Sequence, residues 1–366
     1  MSAAPREKIV IVGLGVIGGS LGMALHALDR YHIVGVDRDE QTLRAARETN
    51  AIDEGTGDLC RGVADADLVI LAVPVSAITE IAARIRDLAP PSAIITDVGS
   101  TKAGIVAALE EIFPGRCLGG HPMTGSEYAG IGGADQYLFE NAIYVLTPTE
   151  RTSRRALVVC ERLVGEIGAI PVKLSPQEHD LIVAAVSHLP YLLAVSLMNL
   201  VAMMAPEHPA AMVMAAGGFR DVTRVASGNP EMWIDICLSN RDLILKTSRQ
   251  FRLLLSVIEE CIARGDLDAL GDHLGRARRE RGKIPLAARG LLPSVSEVAV
   301  TLPDRPGSLA GITAVLGNQG INIVDIEILR IREGDGGTVR LAFKTDAEAE
   351  VALEALRHRG FTAKRR

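Results

Sequence analysis

The pattern of apolar and polar positions divides the chain into three stretches. Up to about residue 174, short continuous apolar runs alternate with amphipathic stretches of helical period. Residues 8–28, KIVIVGLGVIGGSLGMALHAL, set the theme. Residues 9–12 are an unbroken β-branched run, as a strand buried on both faces requires. Ile17, Leu21, Ala24 and Leu28 then recur at helical spacing, so one helix face should pack on a sheet. Residues 32–37, 67–73 and 93–97 read as further strands, and 76–88 and 102–112 as helices. This β–α alternation predicts an α/β fold with an open, doubly wound parallel sheet of Rossmann type.

From about residue 175 to 282 the pattern is helical with short loops. Residues 181–205 carry no charged side chain and are long enough to raise the question of a membrane span. Ser187, His188, Pro190, Ser196 and Asn199 interrupt the run, and Asp180 and Glu207 flank it where Lys or Arg anchors would be expected. The expectation is therefore a buried helix at a homodimer interface and no membrane. A Gly/Pro/Ser-rich linker at residues 290–296 precedes strand 297–302, helix 308–318, strands 321–331 and 338–344, helix 347–357 and a last strand from Phe361. That order is βαββαβ, a ferredoxin-like arrangement. The domains so predicted are 1–174, 175–290 and 291–366.

Composition narrows the class. The 366 residues are 48% hydrophobic and 23% charged, which suits a soluble globular protein. A net charge of -6 without a basic stripe excludes a nucleic-acid partner. Cys60, Cys117, Cys160, Cys237 and Cys261 are scattered and form no C-x-x-C pair. They read as reduced, mostly buried thiols of a cytoplasmic protein, without disulfides or a zinc site, and no metal is expected. The N-terminus has no apolar core that would make a signal peptide.

The candidate chemistry lies at strand ends. Gly13, Gly15 and Gly18 form G-x-G-x-x-G between a strand and a helix, the context that a dinucleotide-binding turn needs. Gly13 permits the turn, Gly15 lets a pyrophosphate approach, and Gly18 lets helix and strand pack closely. Val16 and Ile17 would present backbone N–H groups to the phosphates. Asp37 closes the second strand, where a carboxylate would bond the ribose hydroxyls of NAD, although neighbouring Arg38 is what NADP would want. Val73 and Pro74 end the next apolar strand at the same edge. Residues 97–102, DVGSTK, close another strand, and 119–127, GGHPMTGSE, bring His121 to a strand terminus. His121 reads as a hydrogen-bonded loop residue or as a general base facing a nicotinamide. In the helical stretch, His188 could be a satisfied core residue, and Arg220, Asp221 and Arg224 a structural ion cluster. Residues 276–283, RARRERGK, read as a solvated helix end.

In order and spacing, GLGVIGGSLG, DVGSTK, HPMTGSE, EHD, VSHLP and FRDVTRVASGNPEMW resemble the prephenate/arogenate dehydrogenases. LPDRPGSLAGITAVLGNQGINI is similar to the first half of an ACT regulatory domain. The resemblance implies conversion of prephenate to 4-hydroxyphenylpyruvate with hydride transfer to NAD(P) and loss of CO2. It implies that His121 accepts the ring hydroxyl's hydrogen bond and that Ser100 holds His121 or the hydroxyl in line. Ser126, His188, Gly217 and Arg224 would then bind substrate, Arg224 through a carboxylate. Glu127, Asp221 and Arg220 would form an ionic gate. Asp304, Pro306, Gly307 and Asn322 would bind an amino-acid effector, tyrosine, unless the ACT domain serves assembly alone. Tyr191 stands where the family often has histidine, which leaves prephenate and arogenate open as substrates. The β-hydroxyacid dehydrogenases resemble the chain less, because they use a lysine of the helical domain and none occurs between Lys173 and Lys246. A non-catalytic NAD-dependent regulator would leave HPMTGSE unexplained.

Overall fold

A computed structural model describes residues 6–125, 128–284, 296–303, 305–329 and 337–365. It divides into two compact units, Met1–Arg281 and Gly282–Arg366. Ser126, Glu127 and Asp304 lie outside the described residues.

The first unit begins with a Rossmann-like layer. Its strands are β1 (Glu7–Val12), β2 (Tyr31–Val36), β3 (Glu54–Thr56), β4 (Leu68–Leu71), β5 (Ile94–Asp97), β6 (Cys117–Pro122), β7 (Ile143–Thr147) and β8 (Ile170–Lys173). Among the described residues they form one sheet in the order β3-β2-β1-β4-β5-β6-β7-β8. All neighbours are parallel except β6 and β7, which run antiparallel. The link between those two contains a short 3-10 turn, Ile131–Gly133, in place of a long crossover helix, so the chain returns in the opposite sense. Helices α1 (Val16–His26), α2 (Glu40–Glu48), α3 (Leu59–Val63), α4 (Val75–Ile85), α5 (Ala103–Ile112) and α6 (Arg154–Glu166) cover the sheet.

Alternation along β1 shows why its sequence is apolar throughout. Ile9 and Ile11 enter one core with Leu21, Leu25 and Leu163, whereas Val10 and Val12 enter the opposite core with Ile78, Ile85 and Leu109. Each such side chain contributes about 1.5–3 kcal/mol on full burial. Leu28, expected on the buried face of α1, instead lies past the helix end and is 38% exposed. The chain turns away there through Asp29 at φ 51.

The helical layer contains α7 (Pro176–Val183), α8 (Leu189–Met204), α9 (Ala210–Met214), α10 (Gly217–Thr223), α11 (Pro230–Ser239), α12 (Arg241–Arg264) and α13 (Leu267–Arg281). Ser175 caps α7 through the Glu178 N–H at 3.2 Å, and Pro176 opens its first turn. The expected single apolar helix is interrupted by a π-helical turn, Ala184–His188, which resets the facing of the residues that follow. The combined segment Pro176–Met204 is long and apolar enough to cross a membrane by length and composition, and one third of its most apolar window is buried inside the chain. Val186, Leu200 and Met203 are exposed, so burial of this helix is incomplete within one chain. The thiols also differ from expectation: Cys117 and Cys160 are buried, Cys237 and Cys261 are half-buried, and Cys60 is exposed.

The second unit is the βαββαβ domain. It has β9 (Ser296–Leu302), α14 (Ser308–Asn318), β10 (Asp325–Leu329), β11 (Gly337–Phe343), α15 (Asp346–His358) and β12 (Thr362–Arg365), with an antiparallel sheet ordered β10-β11-β9-β12. Described strand β10 is shorter than the expected 321–331, and residues 330 and 331 lie outside the described ones. Val298, Val300, Leu341 and Phe343 pack on Ile312, Leu316 and Leu353 to form its own core. A capping box at Thr345 and Glu348 starts α15.

The glycine turn carries the tightest packing near the sheet edge. Gly13 takes φ 93, and a Cβ there would lie 2.5 Å from the Ala72 carbonyl oxygen. A Cβ on Gly18 would lie 2.0 Å from the Gly13 carbonyl oxygen, which is backbone and cannot swing aside. Gly18→Ala is therefore expected to destabilise the protein by about 1–3 kcal/mol and to weaken dinucleotide binding. Thermal unfolding with and without NAD measures both effects.

Candidate active site

The glycine turn and α1 form a cradle for an anion. No described atom lies within 4 Å of a Cβ built on Gly15, so the space at the helix start is open. Helix α1 has neither a side-chain cap nor an acid in its first turn among the described residues. The first-turn N–H groups, including those of Val16 and Ile17, lack intrahelical partners, and the helix dipole favours negative charge there. Asp37 Oδ2 accepts from the Leu14 N–H at 3.0 Å and Oδ1 from the Asp39 N–H at 3.0 Å, which pins the turn to the end of β2. Its remaining lone pairs are available to hydroxyls. Val73 borders Gly13, and Pro74 leads into α4. These residues fit a dinucleotide.

At the end of β6 the structure builds a buried polar chain. His121 Nδ1 and His179 Nε2 are 2.7 Å apart, and the two rings meet edge to face. His179 Nδ1 is 2.7 Å from Asp180 Oδ1. Asp180 also accepts from the backbone N–H groups of Lys102 (2.7 Å) and Ala103 (2.8 Å) at the start of α5. These bonds hold its carboxyl below the usual range despite burial, so it is ionised and only accepts. His179 then donates from Nδ1, and in the neutral pair its Nε2 accepts from His121 Nδ1–H. The order leaves a lone pair on His121 Nε2. Burial, followed by the neighbouring His179, Lys102 and His188, holds His121 well below its ordinary pKa.

His179 and Asp180 were visible as part of EHD but carry no role in the sequence reading. Their neighbour in sequence, Glu178, is exposed, and only the packing of α7 on α5 shows which of the three turns inward. Asn240, between α11 and α12, was likewise missed. Its amide donates to the Asp180 carbonyl at 2.8 Å and to His188 Nδ1 at 3.2 Å. His188 is thus brought into the same buried set, with its ring edge toward Trp233, and burial lowers its pKa to about 4.

Other expected residues lie apart from this chain. Ser100 sits in the turn between β5 and α5, and the partner of His121 Nδ1 is His179 instead of Ser100. Gly217 opens α10, and exposed Arg224 begins the 3-10 turn Arg224–Ser227, which packs on α8. Arg220 and Asp221 are exposed on α10. Tyr191 stacks on Trp233 with centroids 3.6 Å apart and rings 6° from parallel. In the second unit, Gly307 takes φ 87 just before α14, with Pro306 beside it, and Asn322 lies in the loop before β10. Both Pro306 and Asn322 are exposed.

A glycine turn on a helix N-terminus at the end of β1, with a buried histidine three strands away at the end of β6, is the arrangement of a dinucleotide-binding, dehydrogenase-type protein. Residues 21–173 match the nucleotide-binding domain of prephenate dehydrogenase, 175–276 its dimerization domain, and 296–358 an ACT domain. The chain belongs to the prephenate dehydrogenase family. Prephenate dehydrogenase of Bacillus subtilis is 35% identical over 362 residues, covering 96% of each chain. A crystal structure of prephenate dehydrogenase from A. aeolicus, in complex with hydroxyphenyl propionate and NAD+, has a TM-score of 0.72 at 32% identity. It covers 78% of this chain and 100% of that one. Synechocystis arogenate dehydrogenase has a TM-score of 0.68 at 32% identity, covering 76% and 100%.

The buried histidines make stability depend on pH. His188 titrates at about 4 in the folded protein and near 6.5 when unfolded. Between those values the unfolded chain binds more protons, so stability should fall as pH drops from about 6.5 toward 4. His188→Asn should lessen that fall. Melting temperatures of both proteins across this range provide the check, and identical slopes would remove His188 from the account.

Proposed function

We propose that the protein is an NAD-dependent prephenate dehydrogenase of tyrosine biosynthesis, forming 4-hydroxyphenylpyruvate and CO2. The observation that carries this reading is the ordered chain Asp180–His179–His121, which leaves His121 Nε2 as an acceptor at the end of β6, three strands along the same sheet from the dinucleotide cradle. When bound, the nicotinamide supplies the hydride acceptor. His121 receives the hydrogen bond of the ring hydroxyl, whose proton becomes strongly acidic as its carbon loses hydride. A weakly basic imidazole is sufficient for such a proton. Positive charge then arising on His121 is stabilised through His179 by the Asp180 carboxylate. Loss of CO2 restores aromaticity, so the substrate supplies the driving force and the protein chiefly orients the ring. Ser100 contributes at the hydroxyl, and Ser126, His188 and Gly217 on the side of the substrate's side chain. Arg224 grips a carboxylate, matching its two oxygens with a planar guanidinium.

Asp37 at the end of β2 favours NAD over NADP, because its carboxylate repels a 2′-phosphate. The exposed apolar residues of α8 and α12 suit a homodimer interface, in keeping with the dimerization-domain match. We read the protein as cytoplasmic and the ACT domain as the seat of tyrosine feedback, through Asp304, Pro306, Gly307 and Asn322. Arogenate is the second reading for the substrate, left open by Tyr191 on α8 and supported by the likeness to an arogenate dehydrogenase.

His121→Asn should lower kcat by about 10²–10⁴-fold while leaving NAD affinity nearly unchanged. Absorbance at 340 nm with prephenate, beside calorimetric titration of NAD, measures the two. An unperturbed histidine would put the acidic limb of the rate near neutrality, and burial lowers it. His121 is neutral well below pH 6.5, so its acidic limb lies below that value. The rate should be nearly flat from about pH 6.5 to 8, and a strong rise across that range would overturn the reading. Arg224→Ala should raise the prephenate KM far more than it lowers kcat. Parallel assays with arogenate decide between the substrates.

A further inference from the structure

Lys102 is fully buried, yet it lies one residue before α5 begins. Its ammonium is bonded to Asp97, itself buried at the end of β5, and donates to the Gly120 carbonyl at 2.8 Å. The parallel ladder between β5 and β6 ends at Asp97↔Gly119. The Gly120 carbonyl lies one residue beyond that pair and one before His121. The backbone N–H of Lys102 meanwhile binds Asp180 Oδ1, and that of Ala103 binds Oδ2. One residue thus touches both ends of the histidine chain. Asp97 Oδ2 also accepts from the Gly99 N–H at 2.8 Å, which shapes the turn that carries Ser100.

We propose that the buried Asp97–Lys102 pair is a positioning device that sets the aim of His121 and the anchorage of Asp180. Lys102 is a positioning residue, because it is shut off from solvent and its ammonium is committed to Asp97 and Gly120. The pair is a poor device for stability alone. Asp97 Oδ1 is buried without a hydrogen-bond partner among the described residues, and a buried ion pair so placed gains little over apolar packing. Its charge has a second effect. His121 faces Lys102, His179 and His188, while Lys102 faces Asp97 and Asp180. A buried ammonium beside His121 opposes its protonation and keeps the acceptor lone pair free.

The inference rests on the reading of His121 as the hydroxyl acceptor, and the test separates the two. Lys102→Met leaves Asp97 unpaired and can compromise folding, so the deciding variant is Asp97→Asn/Lys102→Met, which removes both buried charges. In the folded double variant, kcat with prephenate should fall by about tenfold to 10²-fold. The KM values for prephenate and NAD should change by less than about threefold. Its acidic limb should move to higher pH, since of the two charges removed it is that of Lys102 that acts on His121. Nitrogen NMR of the imidazoles should show that His121 has lost the single Nδ1–H tautomer of the wild type. A folded double variant with wild-type kcat, pH profile and His121 tautomer would overturn the proposal. Failure of the wild type to oxidise prephenate would instead sink the functional reading, while the NMR comparison would still decide the role of the pair.

Discussion

The Asp180 carboxylate is the interaction on which the rest of the site depends. It sits on a helix of the helical layer, yet two of its hydrogen bonds come from the backbone at the start of α5, which belongs to the sheet layer. A third comes from the ring of its own neighbour, His179. One buried anion therefore joins two layers and sets which nitrogen of His179 carries a proton. Such a group is costly to bury, and three donors make its burial tolerable. Because the carboxylate only accepts, the donor order runs outward in one direction, toward His121 and the open end of the chain.

The sheet supplies the other half of the arrangement. Parallel strands end together at one edge, so Asp37, Val73, Asp97 and His121 are gathered there although up to 84 residues separate them in sequence. The glycine turn is held from two sides, by the Asp37 carboxylate and by the close backbone of Ala72 and Gly18. Further ties bring the helical layer onto this edge. Ser76 bonds Asp235 at 2.6 Å, and Thr101 bonds Ser239 at 3.1 Å, both onto α11. The cradle and the histidine chain are therefore parts of one compact unit.

Much of this was legible in the chain. Continuous apolar runs, the G-x-G-x-x-G turn and the βαββαβ order depend on local periodicity, and they led directly to the Rossmann-like layer and the ferredoxin-like unit. The antiparallel β7 was not legible, because strand direction depends on whether a connection contains a crossover. The π-helical turn before α8 was also hidden, since an apolar run looks the same with or without it. His188 could be assigned neither to a core nor to a site from spacing, and in the structure it is buried against Asn240, 52 residues away.

The amino-acid sequence by itself determined the elements, their order and the residues at the strand ends, because these follow from side-chain size, backbone freedom and hydrogen-bonding groups within a few residues. Tertiary structure decided which of those residues meet. His121, His179 and Asp180 form a chain only because α7 packs on α5 and β7, and Lys102 is buried only because β5 and β6 end beside it. It also decided the electrostatics. A histidine that titrates near neutrality in water is held neutral far below that range once protein replaces its hydration, a consequence of burial that no local pattern encodes.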